Sequence, residues 1–193
     1  MDDMATTETL STHPHFVAGT WKLDPTHSTI AFTVKHLAIS KVRGTFDSFD
    51  LTIVTAPDDV DGIHSIEASI DVASVNTNQA QRDAHLRTSD FFLVEEHPTA
   101  TFRSTGGTWD GDAFTIVGDL TLRGVTKEVT LTGELGGVTT DASGGTRAGA
   151  SATTTINRHD FGVSWNAALE AGGLTLGDDV KIDLDIQVVL QAD

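Results

Sequence analysis

HSTIAFTVKH, residues 27–36, alternates with a period of two. Ile30, Phe32 and Val34 fall on one side of an extended chain, and Thr29, Ala31, Thr33 and Lys35 fall on the other. Such alternation means one face buried and one face wet, the mark of antiparallel sheet. A histidine closes each end, which asks what polar groups do beside a greasy strand face.

The same period runs through much of the chain. Ile66, Ala68, Ile70 and Val72 alternate with Ser65, Glu67, Ser69 and Asp71. Phe114, Ile116, Gly118, Leu120 and Leu122 share one parity, and so do Val125, Val129, Leu131 and Leu135. Val180, Ile182, Leu184, Ile186, Val188 and Leu190 alternate with polar residues. In VRGTFDSFDLTIV, residues 42–54, the parity changes between Phe46 and Phe49, which predicts a bulge or bend. GGVTTDASGG, residues 136–145, reads as a hairpin loop. One segment departs from the pattern: in NTNQAQRDAHLRTSDFF, residues 76–92, Ala80, Ala84 and Leu86 suit a short helix capped by Asn76 or Asn78.

About eight or nine strands with one short helix leave no helical layer to cover a sheet face. Such a sheet must split into a sandwich or roll up, and closure removes its edges. The expected fold is all-β: an eight-stranded antiparallel barrel with the short helix capping an end. Residues 1–17 read as a polar arm, in which His13 and His15 flank Pro14, and residues 18–193 read as one domain.

A barrel of about eight strands is either filled by its side chains or holds one ligand. RAGASATTTI, residues 147–156, carries Ala148, Ala150, Ala152 and Thr154 on one face and Gly149, Ser151, Thr153 and Thr155 on the other. A strand of small residues fills little volume. Either Trp165 or a phenylalanine closes the gap, or a lengthwise pocket remains.

Composition excludes several function classes. There is no cysteine among the 193 residues, so disulfides, thiolate metal sites and cysteine nucleophiles are ruled out. Twenty-eight Asp and Glu against 12 Lys and Arg give a net charge of −16, which argues against nucleic acid and against attraction of the whole molecule to anionic membranes. No apolar run approaches a bilayer-spanning length, so no stable membrane insertion is expected. The N-terminus opens acidic without an apolar signal core, and the expected location is the cytoplasm.

Four blocks carry a resemblance. WKLDPTHSTIAFTVKHLAISKVRGTF (21–46), SVNTNQAQRDAHLRTSDFF (74–92), VGDLTLRGVTKEVTL (117–131) and TTTINRHDFGVSW (153–165) resemble, in order, segments of the YceI-like family, lipocalin-like proteins that bind polyisoprenoids. The resemblance implies a lipocalin-like barrel around a long apolar channel. It also implies an isoprenoid lipid inside, such as an isoprenoid quinone or a prenyl diphosphate, bound non-covalently for storage or transport. A homodimer is left open, and no cofactor is implied.

Taking the apolar parity of each strand as inward, the expected channel lining is Ile30, Phe32, Val34, Ile66, Ala68, Ile70, Val129, Leu131, Ala150, Ala152, Leu184 and Ile186. His36 shares the parity of Val34 and should face inward near a mouth, where it needs a polar partner. His36, Arg43, Arg82 and Arg158 are the candidates for contact with a headgroup. His27 follows Asp24-Pro25-Thr26, and Asp24 is expected to close a turn that His27 joins. The histidines lack metal-ligand spacing, so no metal is expected. Catalysis would need acid/base pairs such as Asp83 with His85 or His159 with Asp160, but Arg82–Asp83 and Arg158–Asp160 suit anchoring of helix and loop better. The alternatives to a carrier are an enzyme acting on a lipid in the barrel and a stress-associated structural protein without ligand.

Overall fold

A computed structural model describes residues 17–56, 63–170 and 172–192. The arm expected over residues 1–17, with its two histidines, lies almost entirely outside the described residues. Eleven strand segments form a single sheet: β1 (Gly19–Leu23), β2 (Thr29–His36), β3 (Ser40–Phe46), β4 (Phe49–Thr55), β5 (Ile63–Asp71), β6 (Val75–Asn76), β7 (Thr99–Asp110), β8 (Ala113–Leu122), β9 (Val125–Thr140), β10 (Thr146–Asn157) and β11 (Leu176–Leu190). One helix, α1 (Ala80–Leu86), interrupts them.

The eleven segments make eight staves, because three staves are bent. β1 and β2 both lie antiparallel to β11, with Trp21 opposite Leu190 and Ile30 opposite Leu184. β3 and β4 together follow β2 and β1, and β6 and β5 follow β3 and β4. β7 to β11 continue the meander. The contact of β11 with the first stave closes an eight-stranded antiparallel barrel.

Aspartates fix the bends: Asp24 and Asp47 hold two of the three, and at the third Asp71 accepts the Ala73 N–H at 3.0 Å. At the first, Asp24 accepts the Thr26 N–H at 3.0 Å, and its other oxygen meets His27 Nδ1 at 3.0 Å. This is the turn expected from DPTH. Arg147 of β10 reaches the same Asp24 oxygen and also Asp141, at 2.6 Å, so one guanidinium ties this bend to the β9–β10 turn. The His27 hydrogen bond, aided by Arg147 and opposed by burial, holds the Asp24 carboxyl down to about 2. At the second bend Asp47 accepts from Thr45 Oγ1 and Asn76 Nδ2, both at 2.8 Å. The strand breaks between Phe46 and Phe49, where the parity changes, so both rings turn inward.

Two local expectations need correction. Neither Asn76 nor Asn78 caps the helix: Asn76 is strand, Asn78 has φ +59°, and the Gln79 side chain accepts from the N–H groups of Gln81 and Arg82. The hairpin loop expected over 136–145 does form but is shorter, residues 141–145, because β9 runs to Thr140. Asp141 takes the N–H groups of Ser143 and Gly145, which tightens the turn and lets Val138 pair with Ala148.

Candidate ligand-binding cavity

The inward faces do not fill the barrel. A cavity of about 700 Å³ runs through it, and a smaller one of about 140 Å³ adjoins it around Trp21 and Trp109. The larger is within the range of about 300–1,000 Å³ typical of small-molecule sites. All twelve residues expected to line the channel border it. Ala150 and Ala152 face it with nothing in place of the missing bulk. Trp165 does not close that gap; it stands beside His85 and Phe91, with ring centroids at 5.0 and 5.3 Å.

Phenylalanines border the cavity without plugging it, because several lie flat over glycines. The Phe32 ring covers Gly44, and the Phe114 ring covers Gly133, where a Cβ would stand 2.6 Å from Phe114 Cζ. Phe32 then meets Phe46 at 5.6 Å, and Phe46 meets Phe92 at 5.7 Å. The first pair is tilted and the second edge-to-face, arrangements that pack rings along a wall.

Polar groups gather at one end. His36 and Ser40 close the β2–β3 hairpin, Lys41 follows, Arg82 and His85 come from α1, and Thr175 comes from the loop before β11. Ser40, Lys41 and Arg82 are exposed yet border the cavity, so it reaches the surface here. The helix is fixed over this mouth by buried Asp83, whose Oδ1 accepts from Thr77 N at 2.9 Å and Thr77 Oγ1 at 2.5 Å. Arg82 Nε donates to Thr77 Oγ1 at 2.8 Å, so residues 82 and 83 anchor the helix together.

The four headgroup candidates separate. His36 borders the cavity, and its ring has no hydrogen-bond partner among the described residues. Arg82 borders it while braced on Thr77. Arg43 does not: it pairs with Thr33 across the hairpin, stands exposed on the outer face, and the inward parity of Val42 requires this. Arg158 borders the cavity at 5 % exposure, but as a clamp. Its Nε donates to the Gly177 carbonyl at 2.9 Å, and Nη1 donates to Val163 at 2.9 Å and Trp165 at 2.8 Å. Burial pushes its pKa down and the charge of Asp178 opposes this. The expected Arg158–Asp160 contact does not form.

The two suggested acid/base pairs do not assemble either. Asp83 serves Thr77, while His85 Nε2 meets Asp90 at 2.7 Å. His159 Nε2 meets Asp178, not Asp160, at 2.8 Å. Among the described residues no three His, Asp or Glu side chains are grouped to hold a metal ion. Ser40, Lys41, His85 and Trp165 also border the cavity at the mouth; their convergence depends on how a helix, a hairpin and a loop meet.

A closed eight-stranded antiparallel barrel with an unfilled apolar lumen and one polar mouth belongs to the class of barrels with room for a ligand. The YceI-like domain model matches residues 21–188, and the chain belongs to that family. It is 38 % identical over 163 residues to the UPF0312 protein SA2479 of Staphylococcus aureus strain N315, covering 83 % of this chain and 91 % of that protein. Among solved structures it is similar to the YCEI protein of Campylobacter jejuni, with a TM-score of 0.68 and 30 % identity over 82 % of this chain and 90 % of the other. The fold is also that of a polyisoprenoid binding domain from Saccharophagus degradans, with a TM-score of 0.67 and 19 % identity over 89 % of this chain and 98 % of the other.

Proposed function

We propose that this protein holds a long isoprenoid lipid non-covalently, with the chain in the lumen and the headgroup at the mouth among His36, Lys41 and Arg82. The observation that carries this reading is the cavity of about 700 Å³, apolar along its length and polar at one end. Wall atoms facing a void lose dispersion contacts on one side, and a flexible hydrocarbon restores them. Burial of apolar surface contributes roughly 0.8 kcal/mol per methylene relative to water. The polyisoprenoid binding of a protein with the same fold supports the choice of chain.

The reference state for such a lipid is a membrane, where its chain is already out of water. Transfer from bilayer to barrel gains little hydrophobic free energy, because lipid tails are as apolar as leucine. The protein is therefore a carrier or reservoir with loose exchange, not a sink. An isoprenoid quinone needs one or two donors at the mouth, which His36 and Arg82 supply. A diphosphate would draw on Lys41 as well. Catalysis has no comparable support, since the carboxylates beside the mouth are engaged elsewhere. Native mass spectrometry of the purified protein, followed by organic extraction, tests the reading. An isoprenoid chain in the extract is the expected result, and a protein with no lipid, or with only straight-chain lipids, would refute it.

A further inference from the structure

The β2–β3 hairpin has properties that the lumen does not require. Its turn is Leu37-Ala38-Ile39, with φ of +54° at Leu37 and +58° at Ala38. Two adjacent left-handed residues form the turn that asparagine and glycine normally supply, so apolar side chains are kept here at a conformational cost. Ile39 is 86 % exposed. Beside it, the Leu37 N–H donates to the Thr175 carbonyl at 2.7 Å, and Leu174 in that loop is 56 % exposed. Among the described residues, Ile39 and Leu174 are two of the three large apolar side chains that stand exposed; neither lines the cavity, but each is next in sequence to a residue that does, Ser40 and Thr175.

The hairpin's own charge is opposite in sign to that of the whole molecule. No Asp or Glu occurs between Asp24 and Asp47, in a chain with 28 of them. Lys35, Lys41 and Arg43 lie in this stretch. Of the 12 lysines and arginines, only these three and Lys127 make no hydrogen bond or ion pair with described residues. The adjoining loop from Val163 to Thr175 carries one carboxylate, Glu170. The carboxylates nearest the hairpin are Asp178 and Asp179, at the β11 bulge opposite Lys35, and Asp178 is engaged by His159 at 2.8 Å. Acids farther than a screening length of about 8 Å contribute little at physiological salt.

We propose that the mouth hairpin docks on an anionic lipid bilayer, with Ile39 and Leu174 entering the interface and Lys35, Lys41 and Arg43 facing the headgroups. An exposed isoleucine at the tip of a hairpin whose three cations have no ion pair among the described residues is chemically matched to that surface. The contact sets the cavity opening against the membrane, so a chain passes between bilayer and barrel without crossing water. This last step rests on the isoprenoid reading; the docking itself does not.

Flotation of the full chain with vesicles tests it. Vesicles of zwitterionic phospholipid with about 30 % phosphatidylglycerol are expected to bind the protein, and purely zwitterionic vesicles are expected to bind it at least tenfold less. Ile39→Asp with Leu174→Asp should lower binding about tenfold or more, as loss of apolar burial requires. Charge reversal at Lys35, Lys41 and Arg43 should abolish the preference for anionic vesicles, at about fivefold per residue, while Lys127→Glu changes nothing. Circular dichroism checks that each variant is folded. Absence of binding to anionic vesicles would overturn the proposal, and so would equal loss in Lys127→Glu. So would a dimer that Ile39→Asp dissolves without any vesicle binding, since the tip would then serve self-association. Uptake of an isoprenoid from detergent micelles separates the two readings: uptake without vesicle binding defeats the docking alone, and vesicle binding without uptake defeats the carrier alone.

Discussion

The Phe32 ring occupies the space that a side chain on Gly44 would need: a Cβ there would lie 2.8 Å from Phe32 Cε1 and 2.9 Å from Thr77 Cγ2. The two residues are cross-strand partners in β2 and β3. Glycine at 44 thus lets a large ring lie against the wall, which keeps the lumen clear. Gly44→Ala must push Phe32 toward the cavity. Overpacking of this kind costs about 1–3 kcal/mol. A lowered urea midpoint together with reduced lipid per protein, read by mass spectrometry, is expected; unchanged lipid content would show that Phe32 does not border the occupied space.

Ala150 and Ala152 offer the opposite experiment. Both face the cavity, and a large residue there finds room, not a packed core. Ala150→Phe and Ala152→Trp should preserve the barrel by circular dichroism while lipid uptake falls several-fold. Uptake with an unchanged profile would move the binding space elsewhere.

Loose exchange has its own signature. Loaded protein mixed with excess vesicles should give up its isoprenoid, since the bilayer solvates the chain about as well as the barrel does. Retention of the lipid after vesicle removal would contradict the carrier reading.

Acid should weaken the barrel at its first bend. The Asp24 carboxyl is lowered from an ordinary 3.8 to about 2, by His27 first and Arg147 after it. Asp141 is also lowered, by Ser143 first and Arg147 next. A carboxyl depressed in the folded state contributes stability that is complete above the unfolded value and is lost as pH falls toward the folded one. Urea midpoints should therefore fall between pH 5 and pH 2. Arg147→Met should have a lower midpoint at pH 7 and a smaller fall in acid; parallel curves for the two proteins would dismiss the Arg147 contribution.

Arg158 should matter to stability more than to binding. Its guanidinium serves the carbonyls of Val163, Trp165 and Gly177 from a site with 5 % exposure. Arg158→Met leaves those groups without their donor, at about 1–3 kcal/mol each when buried. A loss of roughly 3 kcal/mol or more is expected in urea unfolding. Arg158→Lys should not restore it, because an ammonium lacks the planar fork. A loss below about 1 kcal/mol, the net worth of one ordinary hydrogen bond, would mean that water replaces the clamp.

The barrel and its lining were legible in residue order because pleat alternation is a property of the local backbone: Ile30, Phe32 and Val34 cannot face the lumen without turning Thr33 and Lys35 outward. The same rule turns Arg43 outward once Val42 is inward. The parity change between Phe46 and Phe49 marked a bend for the same reason. The mouth was not legible in this way. Whether Arg158 reaches a ligand or three carbonyls depends on where the Val163–Thr175 loop returns. Whether Arg147 meets Asp24 depends on residues 123 positions apart.

Alternation along each strand therefore determined by itself that this chain forms antiparallel sheet with one apolar face and must close or pair that face, while the absence of cysteine and the acidic composition narrowed only its chemistry. The tertiary structure alone decided that Trp165 stays at the mouth, that the lumen beside Ala150 and Ala152 is unfilled, and that Ile39 stands exposed on a hairpin whose cations have no ion pair among the described residues. Periodicity reports which way a side chain points. Volume left empty, and charge left unpaired, depend on every strand and loop that meets at that place.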